Sequence, residues 1–66
     1  MSMYSAQIRF LRELVSYDGV ARPSDLMPPT RTDNSARRKC KREGLAVFEN
    51  GRWRITDEGR ATLAFL

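Results

Sequence analysis

The chain has 66 residues, 41% of them hydrophobic and 30% charged, with a net charge of +4 at pH 7, one cysteine and no histidine. So short a chain folds as one domain at most and buries only roughly 60% of the surface its unfolded form exposes, yet its apolar share excludes a wholly disordered polymer. No apolar run approaches the roughly 20 residues that span a bilayer, and a lone cysteine without histidine supplies neither a disulfide nor a zinc ligand set.

The N-terminus carries no signal-peptide pattern. A single soluble, cytoplasmic domain over residues 1–66 is therefore expected, with no cofactor and no structural metal.

From Ser5 to Tyr17, Ile8, Leu11 and Val15 recur at helical spacing among Arg9, Arg12, Glu13 and Ser16, which predicts a first helix. Ser5 or Ser2 is its expected cap, and Asp18-Gly19 its stop, through a glycine with left-handed backbone angles. Phe10, Leu14 and Tyr17 form a second apolar stripe that either wraps the core or meets a second copy of the chain. Val20 and Ala21 fit a short extended segment. Pro23 suits the first turn of a brief second helix through Ser24, Asp25, Leu26 and Met27, which Pro28-Pro29 ends.

Thr32, Asp33 and Asn34 are the expected caps of a third helix reaching Glu43, with Gly44 as terminator and Leu45 packed beyond it. Residues 31–42 hold Arg31, Arg37, Arg38, Lys39, Lys41 and Arg42 against Asp33, six positive charges less one, or +5, so the remaining residues sum to −1. A basic segment of this density is the footprint of a polyanion binder. On the helical wheel Ala36 and Cys40 share the narrow apolar side, while Asn34, Ser35, Arg38, Lys41 and Arg42 lie opposite. Cys40 therefore reads as a small buried hydrophobe rather than a reactive thiol.

Ala46-Val47-Phe48-Glu49, Asn50-Gly51 and Arg52-Trp53-Arg54-Ile55 form a hairpin signal of two alternating runs around Asn-Gly. A two-residue loop pairs Glu49 with Arg52, Phe48 with Trp53, Val47 with Arg54 and Ala46 with Ile55. Phe48 and Trp53 then share a face with Ala46 and Ile55, and Trp53 is expected in the core. Thr56 caps a last helix in which Gly59, Leu63 and Leu66 face inward.

The order helix, short helix, basic helix, hairpin, helix is similar to the winged helix-turn-helix family. Lys41-Arg42-Glu43-Gly44-Leu45 and Ile55-Thr56-Asp57-Glu58-Gly59-Arg60-Ala61 resemble the MarR type, in which a charged run and Gly-Leu close the third helix and a hydrophobic-Thr-x-x-Gly start opens the last one. The resemblance covers residues 20–66. It implies an α+β, mainly helical fold: three helices, a two-stranded wing and a C-terminal helix. The double proline departs from the pattern, and the additional terminal helices with which full-length MarR regulators dimerise and sense ligands have no counterpart. What carries over is a bare DNA-binding module of the kind found in small regulators of phages and mobile elements.

On that basis Asn34, Ser35 and Arg38 are candidates for reading base edges in the major groove, Asn34 being equally a helix cap. Arg31, Thr32, Arg37, Lys39, Lys41 and Arg42 are candidates for backbone phosphates. Arg52 and Arg54 are assigned to the wing, with Arg52 either on the backbone or minor groove or paired with Glu49. Five or six phosphate contacts give a slope of log affinity on log salt of roughly −5.

The competing expectation is a protein-interaction module that uses the basic face or the Phe10, Leu14 and Tyr17 stripe, and that stripe is also the candidate homodimer contact. No nucleophile-base pair points to an enzyme. No exposed stacking aromatic of the kind that binds single strands is expected.

Overall fold

The computed structural model describes residues 3–66. Its elements are α1 (Met3–Ser16), β1 (Val20–Ala21), a 3-10 turn (Pro23–Asp25), α2 (Arg31–Arg42), β2 (Ala46–Glu49), β3 (Arg52–Ile55) and α3 (Asp57–Ala64). The result is a small, mainly helical α+β domain in which α1 and α2 pack against an antiparallel sheet of order β1-β3-β2 and α3 packs on α1.

α1 starts at Met3, so Ser5 lies inside the helix and cannot be its cap; Ser2 lies outside the described residues. Ile8 and Leu11 are buried as expected, and of the two expected alternatives for the second stripe Phe10 and Leu14 follow the one that wraps the core. Phe10, Leu11 and Leu14 enter the core with Ala6, Gln7 and Ile8, whereas Val15 is 38% exposed. Phe10 and Leu14 are thus unavailable to a second copy, and only Tyr17 of that stripe is exposed, its hydroxyl donating to the Asp25 carbonyl at 2.7 Å. Asp18 (φ 60°) and Gly19 (φ 95°), as expected of the glycine, both take positive φ to close α1: the Asp18 amide bonds the Val15 carbonyl at 2.9 Å and the Gly19 amide bonds that of Leu14 at 2.8 Å.

The expected second helix is reduced to the 3-10 turn, because Leu26 is already extended (φ −82°, ψ 157°) and prolines follow at 28 and 29. Leu26 is buried and Met27 exposed. α2 then begins earlier than expected. Thr30, extended, is the cap: its hydroxyl accepts from the Asp33 amide at 3.1 Å while the Asp33 carboxylate accepts from the Thr30 amide at 2.9 Å. Thr32, Asp33 and Asn34 therefore lie within the first turns of the helix. At the other end Gly44 (φ 75°) reverses the chain, with Leu45 N–H on the Cys40 carbonyl at 2.8 Å and Gly44 N–H on that of Lys41 at 3.2 Å.

The hairpin register is the one the Asn-Gly loop predicts, from Ala46 with Ile55 through Glu49 with Arg52. Asn50 (φ 53°) and Gly51 (φ 73°) both take left-handed angles, as a tight two-residue turn demands. β1 extends the predicted pair to three strands through Val20 with Arg54 and Ala21 with Trp53.

Phe10, Leu11, Leu14, Ala21, Leu26, Cys40, Ala46 and Ile55 form the core, with Leu45, Trp53 and Leu63 packed against it. Leu66, expected to face inward, is 56% exposed because α3 ends at Ala64.

The two sequence stretches that carry the family resemblance meet in space. The Thr56 hydroxyl donates to the Gly44 carbonyl at 2.6 Å and accepts from the Gly59 amide at 3.1 Å, while the Thr56 amide donates to the Leu45 carbonyl at 3.1 Å. A side chain at Gly59 would run into that same Leu45 carbonyl and stand 2.7 Å from Ile55 Cγ1. Threonine and glycine thus weld the end of α2 to the start of α3.

Candidate functional site

At about 3.6 residues per turn, the burial of Ala36 and Cys40 turns Arg31, Ser35, Arg38 and Arg42 onto the opposite crest of α2. Arg31, Arg38 and Arg42 are exposed; Ser35 is half-buried, and Arg38 Nη2 lies 3.4 Å from its hydroxyl. Asn34 and Lys41, both exposed, stand on the flank toward the hairpin and line a groove with Pro23, Pro29, Arg37, Arg38, Phe48 and Trp53. Thr32 and Lys39 occupy the far flank, where half-buried Lys39 adjoins Tyr4, Gln7, Glu43 and Thr62. With Thr30 as cap, the Asn34 side chain has no capping duty.

Arg37 is the exception and requires a correction. It is 7% exposed, its guanidinium 5.2 Å from the centre of the Phe10 ring and its Nη2 donating to the Met27 carbonyl at 3.2 Å. A side chain held this way cannot reach a phosphate. The wheel places Arg37 beside Cys40 on the inward flank, and its long stem is sequestered by an aromatic ring and a carbonyl from elsewhere in the chain. Its buried Nε has no hydrogen-bond partner among the described residues.

The remaining cations of α2 are free of carboxylates, and five nearby or candidate carboxylates are engaged elsewhere. Asp33 binds Arg9 and the Thr30 amide, Glu43 accepts from Gln7 Nε2 at 2.7 Å, and Glu13 accepts from the Met27 amide at 2.7 Å. Asp25 accepts from the side chain and backbone of Arg22, and Glu49 pairs with Arg54. The Thr30 amide, and then Arg9, hold the Asp33 carboxyl below the usual carboxylate range; the Arg22 side chain does the same for Asp25. Among the described residues no carboxylate pairs with Arg31, Arg38, Lys39, Lys41 or Arg42. α2 thus presents a cationic ridge without internal neutralisation.

On the hairpin, Glu49 takes Arg54 and not Arg52, so Arg52 stands exposed at the tip without an ion pair. Both arginines share a small cleft with Val20 and Glu49 on the sheet face turned away from α2. The face toward α2 carries Phe48 and Trp53.

Trp53 joins the core as expected, meeting Phe10 edge-on at 5.2 Å between ring centres, and Phe48 meets Trp53 at 5.1 Å. Phe48 itself is 41% exposed, contrary to the expectation that no aromatic stands open to stacking. Gln7, which sequence reasoning passed over, is 4% exposed; its amide reaches Glu43, and Cys40 Sγ at 3.7 Å. No group of three or more histidine, cysteine, aspartate or glutamate side chains among the described residues is arranged to hold a metal. No described helix is long and apolar enough to cross a membrane.

No family model matches the chain, and neither a curated protein nor a solved structure is similar enough to it to count as a match.

Proposed function

We propose that this chain is a winged helix-turn-helix domain, similar to the MarR type, that binds double-stranded DNA sequence-specifically in the cytoplasm as a small transcriptional regulator rather than as an enzyme. The observation that carries the reading is the unneutralised ridge of α2, with Arg31, Arg38 and Arg42 exposed over buried Ala36 and Cys40. The chain order α1, β1, short turn, α2, hairpin, α3 and the strand order β1-β3-β2 support it. A helix so charged enters the major groove, where Arg38 bonds guanine, Asn34 bonds adenine and Ser35 contacts a neighbouring base edge. Arg31, Lys39, Lys41 and Arg42 take phosphates, with Thr32 beside them on the first turn, and Arg52 reaches the backbone or minor groove from the tip. Arg54 is held by Glu49 and contributes less.

With Arg37 buried, four α2 cations and Arg52 remain for phosphates, and log affinity falls with log salt at a slope of about −4.5, at about 0.9 per contact. Fluorescence anisotropy of a labelled duplex at several salt concentrations tests this. Arg38→Ala costs about 1–3 kcal/mol on the preferred sequence and less on others. Wild-type affinity no better than millimolar at low salt sinks the reading.

A further inference from the structure

The sheet divides its side chains unequally. Alternation along β2 and β3 sends Glu49, Arg52 and Arg54 to the face away from α2, and Phe48 and Trp53 to the face toward it. The surface next to the ridge is therefore aromatic.

Phe48 stands at the mouth of the groove between α2 and the hairpin, opposite Asn34, Arg38 and Lys41. It does not hang loose. Trp53 supports it from behind at 5.1 Å, and Phe10 supports Trp53 at 5.2 Å, so a row of three rings runs from the core to an end that is 41% exposed. A large apolar side chain held open in this way, with cations along one rim, is complementary to a polymer in which anionic and apolar groups alternate.

We infer that this groove seats one sugar-phosphate strand of the duplex, with deoxyribose packed on the Phe48 ring and a flanking phosphate on Lys41. The inference rests on the duplex-binding reading and assigns the wing a role which that reading leaves out: an apolar contact made by the hairpin's inner face, distinct from the cation at its tip. Deoxyribose offers C–H groups to the ring face, and removal of the exposed part of the ring from water favours the complex without neutralising any phosphate. Lys41 is free to take that phosphate, since among the described residues no carboxylate pairs with it.

The apolar nature of the contact makes it separable from the cationic ones. Phe48→Thr, which keeps a strand-forming residue, weakens binding of a labelled DNA duplex about tenfold at fixed salt, the scale set by burial of part of a phenyl ring. It leaves the slope of log affinity on log salt unchanged, whereas Lys41→Ala lowers that slope by about one contact's worth. The emission of Trp53, the chain's one tryptophan, shifts on duplex addition in wild type. Phe48→Leu keeps the apolar bulk and the fold and weakens binding by about threefold, so it decides the matter if the threonine variant is unfolded.

Tight duplex binding by wild type together with equal affinity of a folded Phe48 variant overturns this inference and leaves the duplex reading standing. Failure of wild type itself to bind duplex overturns both.

Discussion

The two ends of α2 are held by different physics. Its C-terminal end is fastened mainly by close packing, with the Gly44 and Leu45 carbonyls on Thr56 and Gly59 with no room for a methyl group, and by one side-chain bond from α1, Gln7 to Glu43. Its N-terminal end, with the segment leading into it, is fastened by polar side chains of α1, of the cap and of α2 itself. Glu13 takes the Met27 amide, Arg37 takes the Met27 carbonyl, and Arg9 with Thr30 takes Asp33. One end is steric and intolerant of added atoms, while the other is electrostatic and responsive to solution conditions. Of the candidate base-reading residues, Asn34 and Ser35 stand nearer the adjustable end and Arg38 nearer the steric one.

The sharpest way to break the contrast is Gly59→Ala. The new methyl meets a carbonyl of Leu45 that cannot retreat without loss of its bond to Thr56, and destabilisation of about 3 kcal/mol is expected. Stability for a chain this long is roughly 3–10 kcal/mol, so urea titration will show a large fall in midpoint; an unchanged midpoint refutes the steric account.

Next comes Arg37→Ala. Loss of the Met27 hydrogen bond and of the Phe10 contact, offset in part because a buried unpartnered Nε disappears, costs about 2 kcal/mol. The salt slope of duplex binding stays at the wild-type value, whereas mutation of Arg31, Lys39, Lys41 or Arg42 lowers it. Removal of the cap by Thr30→Ala costs about 1 kcal/mol by the same titration.

The smallest effect is that of acid. The folded Asp33 carboxyl titrates below its ordinary 3.8, chiefly through the Thr30 amide and then Arg9. A depressed folded value means that its stabilisation is complete above 3.8 and drains away as pH falls through the folded value. Thermal melts should lose ground across that range, and Asp33→Asn should flatten the loss; an unaltered acid profile in the variant contradicts an electrostatic N-terminal end.

Those parts of the fold governed by neighbours in the chain were legible in the sequence. Asn50-Gly51 admits one register, and that register alone puts Phe48 on the inner face. Gly44 marks the end of α2 because a left-handed residue is needed there. Thr30 was obscured by three further cap formers at 32–34; its distinguishing signal was the acidic Asp33 at the third helical position, after prolines that leave Thr30 extended.

Arg37 and Arg38 illustrate what sequence could not give. They are adjacent and identical; the wheel separates their directions, but that Arg37 is sequestered depends on a ring on α1 and a carbonyl before α2 that no local pattern marks. Gln7 is the same case, since its partner Glu43 lies 36 positions away and no local pattern marks it. The second helix shrank to a 3-10 turn for the opposite reason: the local signal was present, but too few residues separate Pro23 from Pro28 for a regular turn to propagate.

Burial pushes the Cys40 thiol up to about 11, and its sulfur lies against Gln7 at the seam between α1 and α2. At neutral pH it therefore offers an alkylating reagent almost no thiolate and no path of approach. Labelling proceeds only through molecules in which the seam has parted, so the ratio of labelling rates in the native and urea-unfolded chain is a clock for that event. The protein carries its own stopwatch for separation of the ridge helix from its support.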